Sequence, residues 1–367
     1  MTQRPSATHT TTPHGLAYTS WVRIVAICAV VLIHVLAAIV GNEEIRGSRT
    51  WWIATILDIG AAWAVPAFVM VSGALLLRPT DESIGSFYRR RLIRIGIPLV
   101  FAHVLYLTVR FFGFAGRELT PEVLLIDLLQ GGVFTHLYFF WIILGLYAVT
   151  PLLRPFVALV TDRTVLIAAI VILAWSVAIT IAAEGLRLLG VPITAWQPYP
   201  LRLFVPYIGF FVMGFAIRDL VLRTPRLLLT AALAALALAA LIIEYASAGT
   251  NRAVILLFGG HYLGLPLAVA TPSLYALGRT TLERIGLLSN AALNLRVRAI
   301  GDLALGVYVL HFAILIVVRR FVPGMSFAQT HDSLPLAILQ WAIVVVLSFA
   351  TAAVMARIPV LRRLIGL

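Results

Sequence analysis

The first long apolar run of the chain, YTSWVRIVAICAVVLIHV, carries two ionisable residues, Arg23 and His34. At ~100° per residue, the eleven steps between them end ~20° past three full turns, so both side chains share one helix face about 16 Å apart along the axis. An ionisable group at membrane depth is expensive and points to function. Neutral imidazole can take a proton from a hydroxyl or carry an acyl group transiently. Each residue also has a plainer reading: Arg23 as a snorkelling anchor near the helix start, His34 as a histidine bonded between helices.

Other polar residues could join this pair. Asp58 lies in the second apolar run at a depth similar to that of His34 if the two helices are antiparallel neighbours. It could orient the imidazole or bond another helix. The same run continues as AVPAFVMVSGALLL, where Pro66 predicts a kink and Ser72–Gly73 permits close helix approach. Next comes SFYRRRLIRIGIP, with Arg89, Arg90, Arg91 and Arg94 within six residues. Arg91 and Arg94, three apart, face alike on a helix, and guanidinium forks suit phosphates. A basic cluster at this point is also what cytoplasmic topology or anionic lipid headgroups would produce. Further along stand Glu244, then Asp302, Tyr308 and His311 around GVYVLHF; His136 opens the fourth apolar run and is expected to face outward. None of the membrane histidines forms an i, i+4 ligand pair, so no metal site is expected. There is no phosphate-binding glycine loop and no dinucleotide fingerprint. All 28 basic residues are Arg; without Lys, neither a Schiff base nor a lysine general base is possible. The single cysteine, Cys28, reads as inert packing.

The elements that must position these residues are apolar helices. Of 367 residues, 61% are hydrophobic and 12% charged, against ~45–50% and ~25% in soluble proteins. That excludes an ordinary cytosolic enzyme, a disordered chain and a nucleic-acid-binding protein, despite a net charge of +13. A span needs ~20 mostly apolar residues, and ten stretches qualify: 19–40, 51–77, 95–114, 134–153, 164–183, 203–217, 227–246, 253–277, 301–318 and 335–356. The fold class expected is therefore all-α, a polytopic bundle of about ten transmembrane helices. The segment 121–130 (PEVLLIDLLQ) is too short and acidic to span and reads as an interfacial helix. With the N-terminus inside, eighteen arginines fall on inner segments, eight on outer loops and two, Arg23 and Arg110, within helices. This bias puts both termini in the cytoplasm. Residues 1–17 read as a disordered cytoplasmic tail, 18–357 as the membrane domain and 358–367 as a second cytoplasmic tail. No internal repeat of the kind that builds many transporters is visible.

Over almost its full length the chain resembles the integral-membrane acyltransferase type 3 family. Arg23, ten residues, then His34 is similar to the family's Arg/Lys-x10-His signature; Val65 to Gly73 (VPAFVMVSG) resembles its Val-Pro-x-Phe-x-x-x-Ser-Gly segment. Arg91-Leu-Ile-Arg94 resembles its Arg-x-x-Arg motif, Gly306 to His311 (GVYVLH) its Gly-x-Tyr-x-x-His segment, and HLYFFWIILGLYAVTPLL its fourth helix. Two departures stand out. Ser20 occupies the place, three residues before Arg23, where many members carry Asp, and Ala61-Ala-Trp63 lacks the Arg that often precedes Val-Pro. The charge partner of Arg23 is thereby left open, with Asp58 a candidate.

The resemblance implies O-acyl transfer in a bacterial inner membrane, from cytoplasmic acyl-CoA (acetyl-CoA above all) to a hydroxyl acceptor, usually a sugar of a cell-surface glycan. It implies His34 as base or acyl carrier, Arg23 as its orienting or charge-stabilising residue, and Arg91 and Arg94, with Arg90 and Arg89 beside them, as the donor-phosphate site. Ser72, Tyr308 and His311 accompany these as further site residues; no permanently bound cofactor, metal or nucleic acid is expected. A flippase or transporter for a lipid-linked glycan is the rival, its path lined by charges such as Arg110, Asp58 and Glu244.

Overall fold

The computed structural model describes residues 13–112, 120–130, 132–191, 203–247 and 263–367, together with positions 254 and 258. Most of the expected tail at 1–17 lies outside these residues; from Pro13 onward the chain is helical. Among the described residues every regular element is a helix. They run α1 (Pro13–Val40), α2 (Arg49–Gly60), α3 (Ala64–Leu76), α4 (Ile84–Arg91), α5 (Ile97–Phe111), α6 (Pro121–Gln130), α7 (Tyr138–Leu159), α8 (Asp162–Leu188), α9 (Ile208–Ala216), α10 (Thr224–Ala246), α11 (Leu265–Arg284), α12 (Ala291–Asp302), α13 (Ala304–Phe321), α14 (Phe327–Thr330), α15 (Leu334–Arg357) and α16 (Pro359–Leu364).

Eight helical runs are long and apolar enough to cross a membrane. The two other expected spans differ: 203–217 contains only the short apolar helix Val205–Ala216, and the region 253–277 contributes α11, which is not among the eight runs. The protein is a polytopic helical membrane bundle. The expected short helix at 121–130 is α6, and a buried ion pair of 2.6 Å between Arg110 on α5 and Asp127 on α6 holds it in place.

Proline sets two breaks that matter for the site. A proline ring clashes with the carbonyl four residues back and supplies no N–H to it. Pro66 accordingly follows a three-residue interruption at 61–63 that divides one 28-residue span into α2 and α3. Pro98 follows a π-helical turn, Leu92–Gly96, which joins α4 to α5. Such turns concentrate at functional sites because they re-aim side chains without ending the helix; here the turn contains Arg94.

The segments that the arginine bias places inside meet at one end of the bundle. Arg90 and Arg154 both pair with Glu82, Arg218 with Asp162, and Arg279 with Asp219. Arg279 also donates to the Arg218 carbonyl, and Arg284 to the Leu222 carbonyl at 2.9 Å. The last residues belong to this end and are folded rather than a free tail. α16 closes in a Schellman cap, with Leu367 N–H on the Arg362 carbonyl (3.0 Å), Gly366 N–H on the Arg363 carbonyl (3.3 Å) and Gly366 at φ 78°. Ile365 is fully buried, and that apolar anchor pulls an otherwise basic segment onto the bundle.

α1 is the central helix and packs against α2, α3, α12, α13 and α15. Trp51 Nε1 donates to the Val40 carbonyl and Trp341 Nε1 to that of Cys28, each at 3.0 Å, pinning α2 and α15 to it. α3 and α9 approach through reciprocal glycines. A Cβ on Gly73 would lie 1.7 Å from the Phe211 carbonyl oxygen, and one on Gly214 would lie 2.0 Å from that of Met70. The close approach permitted by Ser72–Gly73 is thus realised, and it fixes the wall of α3 that carries Val65, Phe68 and Ser72. Backbone cannot yield as a side chain tip can, so Gly73→Ala should lower the thermal midpoint of the detergent-solubilised protein, with a cost of roughly 1–3 kcal/mol or more. Gly60→Ala, where an added Cβ meets nothing within 4 Å, should leave that midpoint nearly unchanged.

Candidate active site

A cavity of about 750 Å³ lies between α1, α3, the α4–α5 turn, α7 and the α12–α13 corner. Its arginine-rich end is lined by Arg23, Arg91, Arg94, Asp302 and Gly366, its middle by apolar and aromatic side chains such as Phe68, Phe139, Tyr147 and Tyr308, and its far end by His34, Thr135 and His136. Arg23 and His34 therefore open onto one space, as their shared helix face requires.

Arg23 is held by three acceptors. Its Nη1 donates to Asp302 Oδ1 at 2.9 Å, its Nη2 to Ser20 Oγ at 3.1 Å and its Nε to the Thr19 carbonyl at 3.4 Å. Asp302 is the last residue of α12, and the chain turns at Leu303 into α13, so a helix corner presents the carboxylate to α1. Gly301 makes this approach possible, since a Cβ there would lie 3.0 Å from the Ser20 carbonyl oxygen. The open question of the charge partner of Arg23 is thus answered by Asp302, with Ser20 adding a neutral hydrogen bond.

Asp58 does not take that role, nor does it orient His34. It is buried on α2 beside Ile59, which packs against Leu241 and Leu267, and it lies within electrostatic range of Tyr245; it does not line the cavity. Similar depth on neighbouring helices does not determine which way a side chain points around the helix axis.

His34 instead belongs to a cluster of three imidazoles. Its ring stacks on that of His311 at 5.2 Å between centroids and meets that of His136 edge-on at 6.0 Å; His136 and His311 are 5.0 Å apart. His34 is half-buried and lines the cavity, His136 is buried but also lines it, and His311 is fully buried and does not. His311 Nδ1 lies 2.8 Å from the Tyr308 carbonyl and 3.1 Å from that of Val307. A carbonyl only accepts, so Nδ1 carries the proton and Nε2 is the lone-pair nitrogen. Tyr308 lines the cavity and donates its hydroxyl to the His136 carbonyl. The outward orientation expected for His136 is not found. Val133, Phe134 and Leu137 are all buried, so the turn before α7 folds into the bundle and carries His136 with it. Among the described residues no group of three ligands is arranged to hold a metal ion.

The arginine cluster divides in two. Arg91 and Arg94 line the cavity, with the Arg91 guanidinium 5.4 Å from the Phe87 ring centre and 5.8 Å from that of Tyr147. Arg90 is turned away into its pair with Glu82, and neither it nor Arg89 lines the cavity. Consecutive helical residues point ~100° apart, so three adjacent arginines cannot share one site, whereas residues three apart can. Ser72 lines the wall and donates to the Phe68 carbonyl of its own helix at 2.9 Å. Sequence reasoning missed Asp302 and His136 as site members. Their only linear signal is an ionisable residue immediately beside an apolar run.

The fold and this cavity, cationic at one end and imidazole-lined at the other, define a multi-pass membrane protein with an enzyme-like interior. Residues 16–357 match the sequence model of the acyltransferase domain, nearly the whole chain, and the protein belongs to the acyltransferase type 3 family. It is a membrane acyltransferase. No curated protein and no solved structure matches the chain.

The Arg23–Asp302 pair predicts a measurable coupling. In a double-mutant cycle of Arg23→Gln and Asp302→Asn, followed by unfolding in mixed micelles, the interaction energy should be about 1 kcal/mol, modest because both side chains keep some exposure. Asp58→Asn should show no coupling to Arg23→Gln beyond ~0.3 kcal/mol in the same assay.

Proposed function

We propose that the protein is a bacterial inner-membrane O-acyltransferase that moves an acyl group, most simply acetyl, from cytoplasmic acyl-CoA to a hydroxyl of a cell-surface glycan or related acceptor. One observation carries this reading: a single cavity joins Arg91 and Arg94 to His34. Guanidinium forks suit the phosphates of the donor, and the apolar, aromatic middle suits an extended thioester arm.

In this reading His34 takes the proton of the acceptor hydroxyl as its oxygen attacks the thioester carbonyl. The carbon–sulfur bond breaks, the acyl group passes to the oxygen, and the proton returns through His34 to the departing thiolate. His34 could equally take the acyl group itself and then release it to the hydroxyl, with the same balance of atoms. His311 packs against the His34 ring and limits its orientation. Arg23, neutralised in part by Asp302, supplies positive charge along the donor path. The apolar and aromatic lining of the middle leaves few water-binding groups beside the thioester.

The charges that a flippase path would use are dispersed. Arg110 is bonded to Asp127, Asp58 sits near Tyr245, and neither they nor Glu244 line the cavity. The test is acyl transfer from labelled acetyl-CoA in membranes. His34→Ala should reduce turnover at least about 100-fold, the lower range for a lost general base. Wild-type turnover in that variant would reject the catalytic role. Arg94→Ala should instead raise KM for acetyl-CoA about 10- to 100-fold, the loss expected for one charge-assisted contact.

A further inference from the structure

A second void of about 480 Å³ opens at the arginine-rich end, and Arg94 and Gly366 line both it and the main cavity. The two spaces therefore adjoin. The remaining charged residues of the second void are Arg362 and Arg363, from the last turn of α16. Three arginines thus surround this space together with Leu367, the last residue of the sequence, and no acidic side chain lines it. Several other arginines at this end pair with carboxylates, Arg23 with Asp302, Arg90 with Glu82, Arg218 with Asp162 and Arg279 with Asp219, while Arg91, which lines the main cavity, shares with the three here the lack of such a pair. Among the described residues no carboxylate pairs with Arg94, Arg362 or Arg363. A concave space with three unanswered guanidinium groups suits an anion of more than one charge.

The three arginine side chains are exposed, but the backbone that carries them is anchored. Buried Ile365 anchors α16, the Schellman cap fixes the direction of the last two residues, and the left-handed φ of Gly366 lets the chain pass closely. A Cβ on Gly366 would lie 2.8 Å from the Arg94 carbonyl oxygen and 2.4 Å from Leu305 Cδ2. That carbonyl is the one Pro98, four residues on, cannot satisfy. The turn that aims Arg94 and the cap that aims Arg362 and Arg363 are thus packed on each other.

We propose that this second void holds the 3′-phosphomonoester of the acyl-CoA donor, with Arg362 and Arg363 as its ligands, and so selects CoA over donors lacking that phosphate. The proposal rests on the acyl-CoA reading above. Its support is an agreement of order. Along the donor the groups run thioester, pantetheine arm, diphosphate, ribose 3′-phosphate. Along the connected space they run His34, apolar middle, Arg91 with Arg94, then Arg362 with Arg363.

The test compares CoA with 3′-dephospho-CoA by equilibrium binding to the full-length protein in nanodiscs of zwitterionic lipid. The wild type should bind CoA at least tenfold more tightly. Arg362→Gln/Arg363→Gln should bind both ligands equally, at the wild-type affinity for dephospho-CoA. Equal binding of the two ligands by the wild type would overturn the proposal without a variant whose folding could be questioned; so would a variant that keeps the tenfold preference. Nanodiscs containing phosphatidylglycerol separate the other source of phosphate. If Arg362 and Arg363 serve lipid headgroups instead, the double variant loses phosphatidylglycerol enrichment while its preference for CoA persists, and the proposal fails. Absence of CoA binding altogether would reject the acyl-CoA reading itself. Binding that depends on Arg94 but ignores the 3′-phosphate would reject only the second subsite.

Discussion

The ion pair between Arg23 and Asp302 is the contact on which the arrangement of the cavity depends. A guanidinium within an apolar helix must find acceptors, because lipid offers none. Here the acceptor comes from a helix corner almost 280 residues away, drawn close by the bare backbone of Gly301 against Ser20. That contact docks α12 and the start of α13 on α1. Docking α13 in this register brings Tyr308 to the cavity wall and His311 to the back of His34. One electrostatic requirement at the cationic end thereby sets packing at the imidazole end.

Between these ends the cavity follows from side-chain size and backbone breaks. Glycines at 73 and 214 let α3 and α9 touch backbone to backbone, which holds Phe68 and Ser72 on the facing wall. Proline at 98 forces the π-turn containing Arg94, and the Schellman cap of α16 closes against that turn. Arginine is well suited to this rim because its planar fork stays charged beside apolar surface, where an ammonium would be harder to desolvate. The absence of Lys from the chain fits such a rim.

His136 and His311 show what low polarity does to a reactive side chain. Both are buried. His311 has its tautomer set by backbone carbonyls of its own helix. His34 and His136 both line the cavity, and His34 is the more exposed of the two. The same side chain thus serves as support where it is shut away from the cavity, as at His311, and is available for chemistry where it is most exposed to it, as at His34.

Composition and apolar run length were sufficient for the fold class, because the bilayer imposes a length of apolar helix that few other environments demand. The α6 segment and the break near Pro66 were equally legible, since each follows from local sterics or local polarity; the π-turn before Pro98 was not. The pairing of Arg23 with His34 on one face, and of Arg91 with Arg94, came from helical period alone. The pairing of Asp302 with Arg23 did not, nor did the burial of His136 or the separation of Asp58 from His34. Those depend on how helices rotate and dock, and helical period says nothing about which neighbour a face will meet. The C-terminal segment makes the same point: 358–367 read as a cytoplasmic tail, and only the burial of Ile365 placed its arginines beside the cavity. The sequence by itself determined which residues could do chemistry and at what depth. Tertiary packing decided which of them share a space, because that is settled by contacts between residues far apart in the chain.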